Sequence, residues 1–206
     1  MARTIKAPSQ EELLSDSGAS VKKHGKRSVG QRSKSKGKKA EKEFCELLDV
    51  WCNVAPKTFA PSRASGGWRY QKKSLEPGDV VSRYPETTQG FPFIIDIKNR
   101  EKWDFMEWFS RRQIPAFLQW WLELEAEASQ FPHLVPMLVI TRNNAPFIVV
   151  TKYMDWEREF CNPLSIPWAS LFTYPVNTSA LTLVICSWDV FTASLSFERA
   201  KGVFGQ

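Results

Sequence analysis

Histidine is nearly missing from this 206-residue chain, with only His24 and His133, and cysteine is sparse at four: Cys45, Cys52, Cys161 and Cys186. No pair of cysteines has C-x-x-C spacing, and two histidines are too few to complete a tetrahedral zinc site convincingly, so the thiols are expected in the core rather than on a metal. Neither histidine has an evident partner for Ser/His or Cys/His nucleophilic chemistry, which removes that class of hydrolase. No apolar run approaches the roughly 18 to 20 residues needed to cross a bilayer, so no membrane partner is expected. The opening MARTIKAPSQEELLSDSG has two adjacent acids and no apolar segment before a small-residue cleavage site. A cytoplasmic protein is therefore expected, or one of the host cytoplasm if the chain is viral.

Acidic charge is scarce at one end only. Residues 1–40 carry eleven Lys/Arg against three Asp/Glu, whereas residues 41–206 carry seventeen against nineteen, so the net charge of +6 resides in the N-terminal segment. Within it, GASVKKHGKRSVGQRSKSKGKK (18–39) has almost no large apolar side chain and cannot offset the entropy of ordering. A disordered basic tail over 1–36 is expected, serving either as a salt-sensitive contact to a polyphosphate backbone or as a solubilising or targeting segment.

Beyond the tail, Ala40, Phe44, Leu47, Leu48 and Trp51 follow the i, i+4, i+7, i+8, i+11 pattern of an amphipathic helix, placed at about 38–52. Pro56 and Pro61 break the chain, and RASGGWRY (63–70) reads as a loop. GDVVSRY (78–84) and FPFIIDIKNR (91–100) read as two adjacent strands, and FLQWWLELEAEA belongs to a helix at about 104–130 in which Trp120 and Trp121 are read as core. PMLVITR (136–142) and PFIVVTK (146–152) form an expected hairpin, and ALTLVICSWDVF supplies one more buried strand, with 161–179 left unplaced. The order predicts an α/β fold, a mixed sheet flanked by helices, with a core over 37–155 and a C-terminal extension over 156–206 packed on it.

The chemistry concentrates in Ile95-Asp96-Ile97-Lys98. Side chains alternate along a strand, so Asp96 and Lys98 share one face while the isoleucines share the other. A carboxylate inside an apolar run is costly to bury unless it is ion-paired or holds a metal. Asp79 opens the preceding strand, and if the two strands pair, both carboxylates reach one point. Two carboxylates and a backbone carbonyl, that of Ile97, suffice for a hard ion such as Mg²⁺, for which Mn²⁺ could substitute. Such a metal would polarise a phosphodiester and activate water, with Lys98 orienting that water or meeting the developing charge. A plain Asp96/Lys98 ion pair is the competing reading.

Taken together these segments resemble the P-D-(D/E)-x-K nucleases, and archaeal-type Holliday junction resolvases in particular. GKKAEKEF resembles the opening helix of that family at Gly37, Ala40, Glu41, Lys42 and Glu43; RASGG resembles its arginine-containing loop; PGDVV and IIDIK resemble its two catalytic strands. The resemblance spans about residues 37–152 and implies a restriction-endonuclease-like sheet, a Mg²⁺-dependent endonuclease acting on branched DNA, and a homodimer, to whose interface ALTLVICSWDVF could contribute. It implies Glu41 as a helix-borne acid completing the metal site, with Glu43 a rival, Asp79 and Asp96 as principal ligands and Lys98 as catalytic lysine. Arg63, Ser65 and Arg69, with Lys38 and Lys39, are candidate DNA contacts, the loop residues being equally readable as a turn. The chain departs from the family in having Asp96 for the usual glutamate, Gly78 before Asp79 where proline is common, and a longer span between Glu41 and Asp79.

Overall fold

The computed structural model describes residues 29–62, 77–83, 90–101, 116–142, 145–153, 170–176 and 179–204. Helix α1 (Val29–Trp51) leads to a short ribbon of β1 (Phe59–Pro61) and β2 (Val80–Ser82), and then to β3 (Phe93–Asn99). There follow α2 (Ala116–Ala128), β4 (Val135–Thr141), β5 (Ile148–Lys152), β6 (Ser170–Val176), β7 (Ser179–Ser187), α3 (Trp188–Ser194) and α4 (Phe197–Phe204). The main sheet has the order β3-β4-β5-β7-β6, with β3 and β4 parallel and the other pairs antiparallel. The mixed α/β sheet and the β4/β5 hairpin are thus as expected.

Helix α1 begins at Val29, nine residues before the point its apolar periodicity indicates, so residues 29–36 are helical although composition assigned them to the tail. Their lysines, arginine and glutamine are good helix formers, and extending an existing helix is far easier than starting one. At the other end Asn53 adopts a left-handed φ of 51° and donates its N–H to Val50 O, which stops the helix. Of the helix expected over 104–130, the described part is α2; residues 104–115 lie outside the described residues.

The sheet is covered on both faces, and the alternation of β3 sorts its residues between them. Phe93, Ile95 and Ile97 join Ala40, Phe44 and Leu48 of α1 on one side; Ile94 joins Phe117, Leu118 and Trp121 of α2 on the other. Trp121 is fully buried, as its core reading requires, and Trp120 packs at the margin with the Arg100 guanidinium 5.8 Å from its ring centre. The α1 side is completed by α3 and α4: Trp188 meets Phe44 edge-on at 4.8 Å, and the Trp51 indole N–H donates to Leu195 O at 2.8 Å.

This corrects two expectations. ALTLVICSWDVF is not one strand but a strand ending in a helix, because the Ser187 hydroxyl accepts from Val190 N–H and caps α3. Nor is it free to form a dimer face, since Leu183 and Ile185 are buried in one core cluster of this chain and Val184, Cys186, Trp188 and Phe191 in the other. β6 and β7, from the C-terminal segment, are two of the five strands of the main sheet. Cys45, Cys52 and Cys186 are buried free thiols, as expected, while Cys161 lies outside the described residues.

Candidate active site

β3 forms one edge of the main sheet, and the candidate residues gather around it. Asp96 is only 3% exposed and lies on the same face as Ile94, toward α2. Two residues on, Lys98 shares that face, and its Nζ is 2.7 Å from Asp96 Oδ2. The alternation therefore brings acid and amine together as the sequence requires.

Asp79 reaches the same strand by another route. It does not lie within a strand paired to β3; β2 starts at Val80 and pairs with β1, with Pro61 opposite Val80. The residue preceding β2 makes the hydrogen bonds to β3. Asp79 N–H donates to Ile95 O at 2.6 Å, and Asp79 Oδ2 accepts from Ile97 N–H at 2.9 Å. The Asp79 carbonyl accepts instead from Ser62 N–H at 2.7 Å, so the carboxylate fills the place a backbone oxygen would take in a continued ladder. The expected pairing of neighbouring strands is thus replaced by a single residue docked on the edge. Asp79, 7% exposed, still has its carboxylate against the Asp96–Ile97 peptide. Both polar groups of a strand residue point the same way, so the Ile97 carbonyl faces that edge as well.

A sharp turn delivers Asp79. Gly78 has φ +74°, and a Cβ there would stand 2.6 Å from Ile95 O and 3.0 Å from Ile95 N. Only glycine tolerates both the left-handed backbone and so close an approach to a strand.

Glu41 approaches from α1. Lys36 of that helix pairs with Glu101 and its carbonyl accepts from Asn99 Nδ2, while the Trp51 ring packs tilted against Phe93, so α1 runs antiparallel to β3 across one face. Glu41 lies five residues beyond Lys36, about 7.5 Å along the helix, and Ile97 lies two residues before Asn99, about 6.6 Å along the strand. Glu41 is therefore level with Ile97. The stripe Glu41, Cys45, Asp49 faces the β1/β2 ribbon, because Asp49 accepts from Lys57 N–H and Phe59 N–H at the start of β1. Glu41 is 9% exposed. Its rival Glu43 is exposed and paired with Lys39 at 3.4 Å. Lys38 and Lys39 project into solvent, and Arg63, Ser65 and Arg69 lie outside the described residues.

The donors fit a hard cation in kind: buried carboxylates and a carbonyl, with no imidazole among them. Cys45, the nearest thiol on the stripe, is pushed up to about 12 by burial and then by the Asp49 and Glu41 charges. Among the described residues no group of three or more His, Cys, Asp or Glu is assembled closely enough to hold a metal. Asp96 turned toward Lys98 on the α2 side of β3, with Asp79 on its edge and Glu41 on the α1 side, accounts for this.

Two functional-looking residues escaped the sequence reading. Asp49 is a buried acid whose heptad-like position resembles a solvated one, and Glu127, which accepts from Gly78 N–H at 3.1 Å, sits in a run of glutamates that reads as an exposed helix face. Only the tertiary contact distinguishes either.

A family model described as "Phage putative PDDEXK endonuclease" matches residues 32–200. The match runs through the C-terminal strands and helices, for which the resolvase resemblance offered no counterpart. No curated protein and no solved structure matches the chain.

Proposed function

The chain belongs to this phage PDDEXK endonuclease family, and from that premise we propose that it is a Mg²⁺-dependent endonuclease that hydrolyses phosphodiesters in branched DNA, four-way junctions foremost. The observation that carries the reading is the Asp79 carboxylate bonded to Ile97 N–H at 2.9 Å, one peptide from an Asp96 that meets Lys98 at 2.7 Å. Asp79, Asp96, the Ile97 carbonyl and Glu41 would hold Mg²⁺, or Mn²⁺ in its place. When bound, the metal supplies Lewis acidity toward the scissile phosphate and lowers the pKa of a coordinated water.

The remaining work falls to the chain's own side chains. Lys98, held by Asp96, directs its N–H bonds at the attacking water or at a non-bridging phosphate oxygen. Lys38, Lys39, Arg63, Ser65 and Arg69 track the DNA backbone, which makes affinity fall steeply with salt. Paired cuts across a junction require two such sites, hence a two-fold homodimer. Action in the cytoplasm of a phage-infected host suits the family, and no helix among the described residues is long and apolar enough to cross a membrane.

The test is a cleavage panel of four-way junction, flap and linear duplex, each with Mg²⁺, Mn²⁺ or a chelator. Junction cutting that needs either metal is expected, and Asp79→Asn and Lys98→Ala should each lower it at least about a hundredfold while a gel shift shows DNA still bound. Equal cutting of linear duplex would make the protein a restriction-type nuclease instead. Binding without cutting of any substrate would leave the Asp96/Lys98 contact a structural ion pair in a DNA-binding or assembly protein.

A further inference from the structure

We propose that Glu127 is a positioning residue that orients Asp79 for metal binding by bracing the turn in front of it; this rests on the reading of Asp79 as a metal ligand. Glu127 is the penultimate residue of α2, and its Oε1 accepts from Gly78 N–H at 3.1 Å. Gly78 in turn is pressed against β3, at the distance from Ile95 O where no side chain fits, and the next residue is Asp79. Asp79 itself is held through its N–H to Ile95 O, its carbonyl from Ser62 N–H and its Oδ2 from Ile97 N–H. These bonds come from β3 and from Ser62, the residue after β1. Glu127 is the contribution of α2, the helix on the face toward which Asp96 and Lys98 project.

A glutamate in that place is unfavourable for the helix alone. The C-terminal turn of α2 carries the negative end of the helix dipole and has no basic residue of its own; Lys152 of β5 meets Glu125 there, not Glu127. Its bond to Gly78 favours the charge there, since an amide donating to a carboxylate makes one of the stronger hydrogen bonds. Releasing it frees a left-handed glycine to rotate, and with it the direction from which Asp79 meets β3. Such a brace acts on ligand geometry and leaves the stability of α2 nearly untouched.

Manganese binding to the full-length protein, measured by calorimetric titration without DNA, tests this apart from activity. Glu127→Ala should weaken Mn²⁺ binding about tenfold, the loss of one charge-assisted bond, and should speed hydrogen exchange of the Gly78 amide without lowering the melting temperature. Glu127→Gln, which keeps an accepting oxygen, should stay within about threefold of the parent. Asp79→Asn is measured alongside. If it abolishes Mn²⁺ binding while Glu127→Ala binds as the parent does, the brace is refuted and the Asp79 reading survives. If Asp79→Asn also binds normally, Asp79 is no ligand and the proposal loses its ground. Equal losses in Glu127→Gln and Glu127→Ala would overturn the brace in favour of a direct effect of the charge.

Discussion

The corner where α1 hands over to β1 and the open edge of the main sheet at β3 each bury an aspartate, and the two are held differently. Asp49, at the corner, accepts Lys57 N–H at 2.6 Å and Phe59 N–H at 2.9 Å. Asp96, at the edge, meets the Lys98 ammonium at 2.7 Å, on a side chain that keeps about a fifth of its surface in solvent. Backbone donors are fixed by the fold, so Asp49 is committed to the turn after α1. A lysine on four methylenes can swing away, so Asp96 can exchange its partner for a cation or a phosphate. Burial of an acid therefore says little about function until its partners are known.

That contrast can be broken by substitution. The largest effect is expected for Asp96→Asn: at least about a hundredfold loss of cleavage with a denaturation midpoint close to the parent's, measured on the same preparation. Asp49→Ala should do the reverse. Leaving the buried Phe59 N–H and the part-buried Lys57 N–H unanswered should lower unfolding free energy by about 2 kcal/mol in urea titration, with cleavage per folded molecule unchanged. A catalytic defect in Asp49→Ala, or unfolding in Asp96→Asn, would erase the distinction drawn here.

A smaller effect sharpens it through pH. Burial raises the Cys45 and Cys186 thiols from 9.0 to about 12, and raises Cys52 further. Between the unfolded value of 9.0 and the folded values, the folded protein retains protons that the unfolded chain has lost. Stability should thus be intact below pH 9 and fall as pH rises from 9 toward 12. Because the Asp49 charge contributes to raising Cys45 and Cys52, the decline should be shallower in Asp49→Ala than in the parent, by urea titrations at pH 8, 9.5 and 10.5.

Much of the fold could be read in advance where the signal is local. The α1 stripe from Ala40 to Trp51, the β4/β5 hairpin and the Asp96-x-Lys98 alternation each follow from periods of 3.6 or 2.0 residues. β1 could not be read: three residues ending in a proline make no pattern, and Phe59–Pro61 is a strand only because β2 lies beside it. β6 and α4 were likewise unplaced, the first because its proline obscures it and the second because FERAKGVF is short and mostly polar. The assignment of β2 as a neighbour of β3 came from order along the chain, whereas the ribbon turned it onto β1.

The sequence by itself determined which residue types stand at the site and in what order, because carboxylate chemistry and strand alternation are properties of a few adjacent residues. It also determined the two-faced character of β3, by alternating large apolar residues until Asp96 and Lys98 interrupt them. Only the tertiary structure decided that Asp79 meets β3 by its side chain, that Glu41 rather than Glu43 is buried, and that Glu127 reaches Gly78 from 49 residues away. These are contacts between segments whose separation along the chain carries no local energy, so they exist only once both cores have closed around the sheet.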